Sequence, residues 1–218
     1  MSECAALTKD EMAALVARDI PTGSYVNLGI GQPTTVADHL DVEHGVVLHT
    51  ENGMLGMGPA PTEGAADPDL TNAGKQPVTE LAGAAYFDSA ASFAMMRGGH
   101  LDICVLGAFQ VSVSGDLANW HTGAPDAIPA VGGAMDLAIG AKRVCVMMEH
   151  QTKSGESKIV PRCTYPLTGV GCVHRIYTDL AVIDVTRGGL EVVEVVEGLS
   201  LEDLQRFTGA PLRRAAHA

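Results

Sequence analysis

The chain has 218 residues, of which 46% are hydrophobic and 18% are charged, a composition that is typical of a globular protein and excludes a disordered one. Its 14 basic and 26 acidic residues give a formal net charge of −12 without any basic cluster, which excludes a nucleic-acid partner. No uncharged apolar run approaches the roughly 18 residues of a membrane-spanning helix, and the acidic N-terminal segment has no signal-peptide core. The five cysteines are an odd number and form no CxxC pair, which favours a reducing compartment. We therefore expect a cytoplasmic protein, and from the missing apolar run one that does not contact a membrane.

Strands and helices alternate in the first fifty residues. Thr8 and Glu11 have the spacing of a capping box, and the apolar residues that follow recur at helical spacing. A strand is predicted over residues 25–28, a short helix over residues 34–40 after a glycine loop, and a second strand over residues 46–49. This order of strand, loop, helix and strand is typical of a parallel sheet, whose ligands bind at the carboxyl ends of the strands.

The stretch TENGMLGMGP, residues 50–59, places Glu51 just after the second of these strands. Asn52 and Gly53 form a turn of small residues, and a carboxylate on such a turn can be presented as a nucleophile. The alternative is that Glu51 is a solvated loop acid. If the two strands are neighbours, Asn27 and Glu51 lie at the same edge of the sheet.

Residues 59–79 show little periodic pattern, and they contain four prolines. An irregular segment of this length in a compact domain is usually functional. Its one cation, Lys75, is either a solvated loop residue or the local counter-charge for a phosphate group.

A pair of glycines, Gly132 and Gly133, opens a predicted helix that reaches about residue 139. Glycines at a helix start leave backbone N–H groups accessible to an oxyanion or a phosphate, although they also permit tight packing of helix on sheet. The other predicted elements are a helix over 87–96, strands over 101–106, 143–148, 180–185 and 190–196, and a last helix after Ser200. Without a repeat or linker, these elements predict one α/β domain over residues 1–218, with its core at about 8–211.

Several common site types are missing from the sequence. The eight histidines are scattered, and neither an HExxH motif nor a cysteine cluster is present, so we expect no metal site. The chain also lacks the GxSxG and GxxxxGK[ST] motifs. One well-presented carboxylate, glycine-rich loops and one lysine remain as candidate functional groups.

Seven sequence blocks occur in order along nearly the whole chain: VNLGIGQPT, HTENGMLGMGP, DPDLTNAGKQPVT, FDSAASFAMMRGGHLDICVLGAFQVS, GDLANW, GGAMDLAIGAKRV and CTYPLTGVGC. Together they resemble the B (β) subunit of the 3-oxoacid CoA-transferase family. The resemblance implies an open, largely parallel α/β sheet flanked by helices, of the type shared with ribose-phosphate isomerases. It also implies a separate A (α) subunit, a hetero-oligomer with the active site between the subunits, and CoA and succinyl-CoA as substrates, with no permanently bound cofactor.

The same resemblance implies a role for each candidate residue. Glu51 would attack the acyl-CoA thioester and form a glutamyl-CoA thioester in a ping-pong reaction. Asn27 and Lys75 match positions that contact CoA, and Gly132 and Gly133 match a loop that helps to hold the oxyanion. Other groups of the site would come from the A subunit, so the chain alone would be inactive.

The chain departs from the family between Trp120 and Gly132. Here it has HTGAPDAIPAV, with Asp126, where the family usually carries lysines, which leaves the acceptor open. The blocks look most like those of B subunits that act on 3-oxoadipate, and acetoacetate or a short-chain fatty acid is the alternative acceptor. Two different functions are also compatible with the fold: a non-catalytic effector-binding module, which would not need Glu51, and an acyl-CoA hydrolase.

Overall fold

The computed structural model describes residues 5–123 and 132–215. Four α-helices lie in these ranges: α1 (Lys9–Arg18), α2 (Ser89–Arg97), α3 (Ala134–Gly140) and α4 (Leu201–Phe207). Two 3-10 segments, Gln32–His39 and Val42–His44, follow the first strand. None of the helices in the described ranges is long and apolar enough to cross a membrane.

Thirteen strands lie in the same ranges. They are β1 (Tyr25–Leu28), β2 (Val47–Thr50), β3 (Met54–Met57), β4 (Glu80–Tyr86), β5 (Ile103–Leu106), β6 (Gln110–Ser112), β7 (Leu117–Ala118), β8 (Arg143–Met147), β9 (Ile159–Val160), β10 (Val173–Tyr177), β11 (Ala181–Thr186), β12 (Gly189–Val195) and β13 (Leu212–Arg214). Ten of them form one sheet in the order β13-β12-β11-β10-β8-β5-β1-β2-β3-β4, and β7-β6-β9 form a small second sheet.

The centre of the large sheet is parallel, as predicted. Strands β10, β8, β5, β1 and β2 pair in parallel, so their carboxyl ends meet at one edge of the sheet. In the β1–β2 register Asn27 lies opposite His49, two residues before Glu51. The predicted neighbourhood of these two strands is therefore confirmed.

The two faces of the sheet carry separate hydrophobic clusters, because successive side chains of a strand point to opposite faces. On β5, Cys104 and Leu106 belong to a cluster shared with α2, α3 and α4. Ile103 and Val105 belong to a second cluster, which includes Met12 of α1. The sheet is therefore covered on both sides by helical elements.

The predicted start of α1 is confirmed in detail. The Thr8 hydroxyl accepts a hydrogen bond from the Glu11 N–H at 3.2 Å, and the Glu11 carboxylate accepts one from the Thr8 N–H at 2.7 Å. Both bonds satisfy N–H groups that a helix start leaves free. Hydrogen bonding to the carboxylate lowers the pKa of Glu11, mainly through the backbone N–H of Thr8.

Three sequence predictions differ from the structure. The glycine-rich residues after Glu51 form the antiparallel strand β3, which pairs with β4, because Gly56 takes a positive φ of 80° at a register shift that fits beside Ala84. The glycine-containing stretch GAFQVSVSGDLANW, residues 107–120, reads as a loop in the sequence, but it holds β6 and β7. The short helix is a 3-10 segment over Gln32–His39, in which the hydroxyl of Thr34 donates to the carbonyl three residues earlier.

Candidate active site

Glu51 lies on the tight turn that joins β2 to β3, and it is partly buried. Gly53 closes the turn with its N–H donating to the Thr50 carbonyl at 3.1 Å, and its own carbonyl accepts from the Phe87 N–H at 3.0 Å. Its φ is 117°, and an added Cβ would collide with the Phe87 carbonyl oxygen. Only glycine fits at this position, so the turn that carries Glu51 has a fixed shape.

The backbone of Gly132 and Gly133 lies directly against the Glu51 carboxylate. A Cβ added to Gly133 would collide with Glu51 Oε2, and one added to Gly132 would lie 3.9 Å from Oε1. Gly132 also has a positive φ of 49°. The structure thus brings together three of the predicted site residues, and it shows that the glycines permit the close approach of the carboxylate.

Glu51 lines a cavity of about 490 Å³. The cavity is lined by the loops that follow β1, β2, β5 and β8 and by the start of α3. Ile30 and Phe109 line it and are 61% and 40% exposed. A cleft at the carboxyl ends of parallel strands is where ligands bind in open α/β sheets, so this cavity is the candidate substrate site.

A buried hydrogen-bonded network lies behind the turn. The side-chain N–H of Asn27 contacts His49 Nδ1 at 3.0 Å, and His49 Nε2 contacts Ser92 Oγ at 3.1 Å. Since Asn27 can only donate through this nitrogen, His49 Nδ1 accepts and Nε2 carries the proton. Ser92 Oγ in turn donates to the Thr50 carbonyl at 3.5 Å, so the network reaches the residue before Glu51.

His49 is neutral within this network. Burial lowers its pKa to about 4, and only 2% of the residue is exposed. Its ring stacks on Phe87 with 5.9 Å between the ring centres. His49 and Ser92 were not predicted from the sequence, since the only signals were a polar residue within a predicted strand and a serine within a predicted helix.

The two predicted CoA-contacting residues do not line the cavity of Glu51. Asn27 is 3% exposed, and its amide donates to the ring and to the carbonyl of His49. Lys75 is exposed on a tight turn, with a φ of 62°, where the Asn72 side chain accepts from the N–H groups of Gly74 and Gln76. Asn72 and Gly74 line a small separate depression next to β1 and β2.

Two buried polar atoms near the turn have no hydrogen-bond partner among the described residues. They are the side-chain Nε2 of Gln32 and the Oγ1 of Thr50. Gln32 lines the Glu51 cavity, and so does Lys158, whose side chain is 13% exposed. The sequence patterns predicted a role for neither Gln32 nor Lys158. Asp126, which stands where the family usually carries lysines, lies in residues 124–131, outside the described part of the chain.

Comparison with known proteins gives consistent matches. The sequence profile described as Coenzyme A transferase matches residues 9–206. The chain is 65% identical over 206 residues to the B subunit of the 3-oxoadipate CoA-transferase of Acinetobacter baylyi, covering 94% of this chain and 95% of that protein. It is 49% identical over 202 residues to the B subunit of the probable succinyl-CoA:3-ketoacid coenzyme A transferase of Bacillus subtilis, covering 93% of each.

A solved structure has the same fold. An acyl-CoA transferase from Escherichia coli O157:H7 matches with a TM-score of 0.76 at 18% identity. The match covers 96% of this chain and 42% of the other, so the present chain spans about two fifths of that protein's length.

Proposed function

Because the chain belongs to the coenzyme A transferase family, we propose that it is the B subunit of an enzyme that moves CoA from succinyl-CoA to 3-oxoadipate. The identity of 65% to a 3-oxoadipate CoA-transferase subunit, over 94% of the chain, is the observation that carries this choice of acceptor. The identity to the Bacillus subtilis relative is lower, at 49%. Acetoacetate remains the alternative acceptor.

The proposed reaction starts with an attack of one Glu51 carboxylate oxygen on the thioester carbonyl of succinyl-CoA. The carbon–sulfur bond breaks, the CoA thiolate leaves, and a mixed anhydride forms on Glu51. The thiolate then attacks the glutamyl carbonyl, which releases succinate and leaves a glutamyl-CoA thioester. The acceptor carboxylate runs the same steps in reverse, so each bond that breaks is replaced by one of similar energy.

The surroundings of Glu51 suit this chemistry. The fixed turn holds the carboxylate at the cavity, and Gly133 leaves the space beside it that a tetrahedral intermediate needs. Backbone N–H groups at such a position stabilise an oxyanion more effectively than water does, because they are oriented before the reaction. We assign this role to the Gly132–Gly133 segment.

CoA would approach from the side of the sheet where the turn of Lys75 lies. Lys75 is exposed and directly follows Gly74, which lines the depression beside β1 and β2, so its ammonium can pair with a phosphate of CoA. The side chain of Asn27 is buried and bonded to His49, so we assign it an indirect role in CoA binding, in which it holds His49 at the lining of this depression.

The proposed partner is an A subunit that covers the Glu51 cavity. The exposed apolar side chains of Ile30 and Phe109 at the rim of the cavity would then be buried. Water would be excluded from the anhydride in the complex, and the chain alone would be inactive.

The test is a transfer assay on the complex of this chain with its A subunit. Glu51→Gln keeps the size of the side chain and removes the nucleophile, so transfer from succinyl-CoA should fall more than about a thousandfold. Glu149→Gln is the matched control, since Glu149 lines the same cavity and has no covalent role. Retained transfer in Glu51→Gln would contradict the proposal.

The same assay separates the three kinds of function that the fold allows. Release of free CoA without an acceptor would indicate a hydrolase, and tight binding of acyl-CoA without either reaction would indicate an effector-binding module. A higher kcat/KM for acetoacetate than for 3-oxoadipate would replace the proposed acceptor.

A further inference from the structure

One type of five-residue turn recurs at residues 72–76 (NAGKQ), 112–116 (SVSGD) and 152–156 (TKSGE). In each turn the first residue donates its N–H to the carbonyl of the fifth at 2.8–3.0 Å, and the fourth donates its N–H to the carbonyl of the first at 2.9 Å. The side chain of the first residue also accepts from the N–H of the fifth at 3.0–3.1 Å. The three turns therefore share one backbone shape, and we call residues 72–76 the lysine turn.

The fourth residue of each turn lies in the left-handed region of the backbone. Gly115 and Gly155 take φ values of 82° and 83° there, and Lys75 takes 62°. Lys75 is the one non-glycine residue with a positive φ in residues 5–123 and 132–215. Because a side chain crowds its own backbone in this region, glycine is the unstrained residue at the fourth position. The lysine turn thus keeps a long cationic side chain against the preference of its backbone.

The lysine turn is attached to the turn of the nucleophile. The side-chain amide of Asn52, the residue after Glu51, donates to the Thr71 carbonyl at 2.8 Å. Thr71 pairs with Pro77 in an antiparallel bridge, and this bridge closes the base of the lysine turn. Asn52 therefore fixes the backbone that carries Lys75 relative to the backbone that carries the nucleophile.

The shape of the Glu51 turn does not depend on the Asn52 side chain. The N–H of Gly53 closes that turn on the Thr50 carbonyl, and the Phe87 N–H anchors it through the Gly53 carbonyl. Within the described ranges, the hydrogen bond of the Asn52 side chain goes to the lysine turn instead. A substitution of Asn52 can therefore release the lysine turn and leave the Glu51 turn in its shape.

We propose that Asn52 is a positioning residue for Lys75, which holds the lysine turn in place so that the ammonium meets a phosphate of CoA at a fixed distance from the Glu51 carboxylate. The inference rests on the proposed function and adds that Asn52 acts through Lys75. Strained residues persist where their geometry serves ligand binding, which agrees with a lysine at this position. The net charge of −12 repels an anionic ligand, and a cation that is held near the site opposes this field.

Two donors distinguish an effect through Lys75 from an effect on Glu51. Succinyl-CoA carries the phosphates that Lys75 would bind, and succinyl-pantetheine has the same thioester without them. Transfer from each donor to 3-oxoadipate is measured with the complete complex of this chain and its A subunit. A substitution that acts through Lys75 lowers kcat/KM for succinyl-CoA and leaves kcat/KM for succinyl-pantetheine unchanged.

Lys75→Gly should lower kcat/KM for succinyl-CoA about tenfold, because a charge-assisted hydrogen bond at an exposed position is lost. Asn52→Ala should lower it about threefold to tenfold, because the lysine turn loses one fixing hydrogen bond. The double variant should be no slower than Lys75→Gly, since Asn52 then has no cation to position. All three variants should keep the wild-type kcat/KM for succinyl-pantetheine.

Thermal unfolding of the same complexes tests the strained backbone. Lys75→Gly should raise the unfolding midpoint by about 2–4 °C, because glycine is unstrained at this φ. Gly155→Lys should lower the midpoint by about 2–4 °C, although an added Cβ at Gly155 meets nothing within 4 Å. Lys153→Gly is the matched control for the lost charge, since Lys153 stands at the second position of its turn, where φ is not positive. It should keep the wild-type kcat/KM for both donors.

Slower transfer from succinyl-pantetheine in Asn52→Ala would show that Asn52 shapes the Glu51 turn. A further loss in the double variant would show that Asn52 acts without Lys75, and either result overturns the inference. Full kcat/KM for succinyl-CoA in Lys75→Gly would overturn it as well, and unchanged midpoints in Lys75→Gly and Gly155→Lys would remove the strain that supports it. In each case the CoA-transferase function itself would still stand if Glu51→Gln abolishes transfer.

Discussion

Two buried histidines occupy similar environments in different parts of the molecule. His49 and His150 are 2% and 0% exposed, and burial lowers the pKa of each to about 4. The ring of His150 contacts the hydroxyls of Thr178 at 3.0 Å and Thr208 at 2.8 Å, which ties α4 to the end of β10. His49 connects β1, β2 and α2 immediately behind Glu51.

The difference between the two histidines separates stability from catalysis. Both satisfy neighbouring polar groups in the interior, so both contribute to the free energy of unfolding. Only His49 belongs to the network that reaches the Thr50 carbonyl, and the shape of that turn decides where the Glu51 carboxylate lies. The same buried side chain is therefore a positioning residue in one place and a structural residue in the other.

Among changes around the nucleophile, the largest effect is expected at Gly133, whose backbone lies against the Glu51 carboxylate. Gly133→Ala places a methyl group on the Glu51 carboxylate, so kcat of the complex should fall about a hundredfold through misplacement of the reacting atom. Gly107→Ala is the matched control, since Gly107 lines the same cavity and an added Cβ there meets nothing within 4 Å. Equal activity of the two variants would show that the Gly133 approach does not matter.

The variants His49→Leu and His150→Leu test directly whether the two histidines have different roles. His49→Leu should lower kcat by about tenfold at unchanged KM for succinyl-CoA, because the turn loses its support and the substrate contacts remain. His150→Leu removes the ring's hydrogen bonds to two buried threonine hydroxyls, which keep their backbone partners, so it should lower the unfolding free energy by about 1–3 kcal/mol and leave kcat unchanged. Thermal unfolding and steady-state kinetics of both complexes measure the two effects.

A reduced kcat in His150→Leu that matches the reduction in His49→Leu would remove the distinction between the two sites. His49→Gln serves as the conservative variant, because its amide can both accept from Asn27 and donate to Ser92. Partial recovery of kcat in this variant is the expected result.

A separate expectation concerns stability and not activity: the free energy of unfolding should depend on pH. Each histidine stays neutral in the folded protein down to about pH 4, whereas in the unfolded chain it binds a proton below about pH 6.5. Unfolding therefore takes up protons in this window, and the unfolding free energy falls as the pH is lowered from 6.5 to 4. Each histidine accounts for about 3 kcal/mol of this loss.

Urea unfolding at pH 7.5 and pH 5 checks this sign. His49→Gln and His150→Gln should each reduce the difference between the two pH values, and by similar amounts. If neither variant changes the difference, the lowered pKa of these groups is wrong.

The parallel centre of the sheet could be predicted from the sequence, because short apolar runs followed by glycine loops are local patterns. The family and the fold that the sequence blocks implied are confirmed by the profile match over residues 9–206 and by the solved acyl-CoA transferase. The antiparallel strands β3 and β4 were missed because Gly56 and Gly83, both with positive φ, interrupt the alternation of a strand.

The candidate site was predictable only in part. Glu51 could be predicted as a candidate because the turn that carries it is formed by residues adjacent to it in the sequence. The network of His49 joins residues 22 and 43 positions away, so it depends on packing between strands and a helix. The unpartnered amide of Gln32 is likewise a property of burial, which no local pattern of residues indicates.

The most direct test of the account is to trap the covalent intermediate. The complex with the A subunit is incubated with succinyl-CoA and then treated with borohydride, and its peptides are mapped by mass spectrometry. A reduced glutamyl adduct at Glu51, absent from Glu51→Gln and retained in Glu149→Gln, is the predicted result. A complex that transfers CoA without any modification of Glu51 would contradict the account.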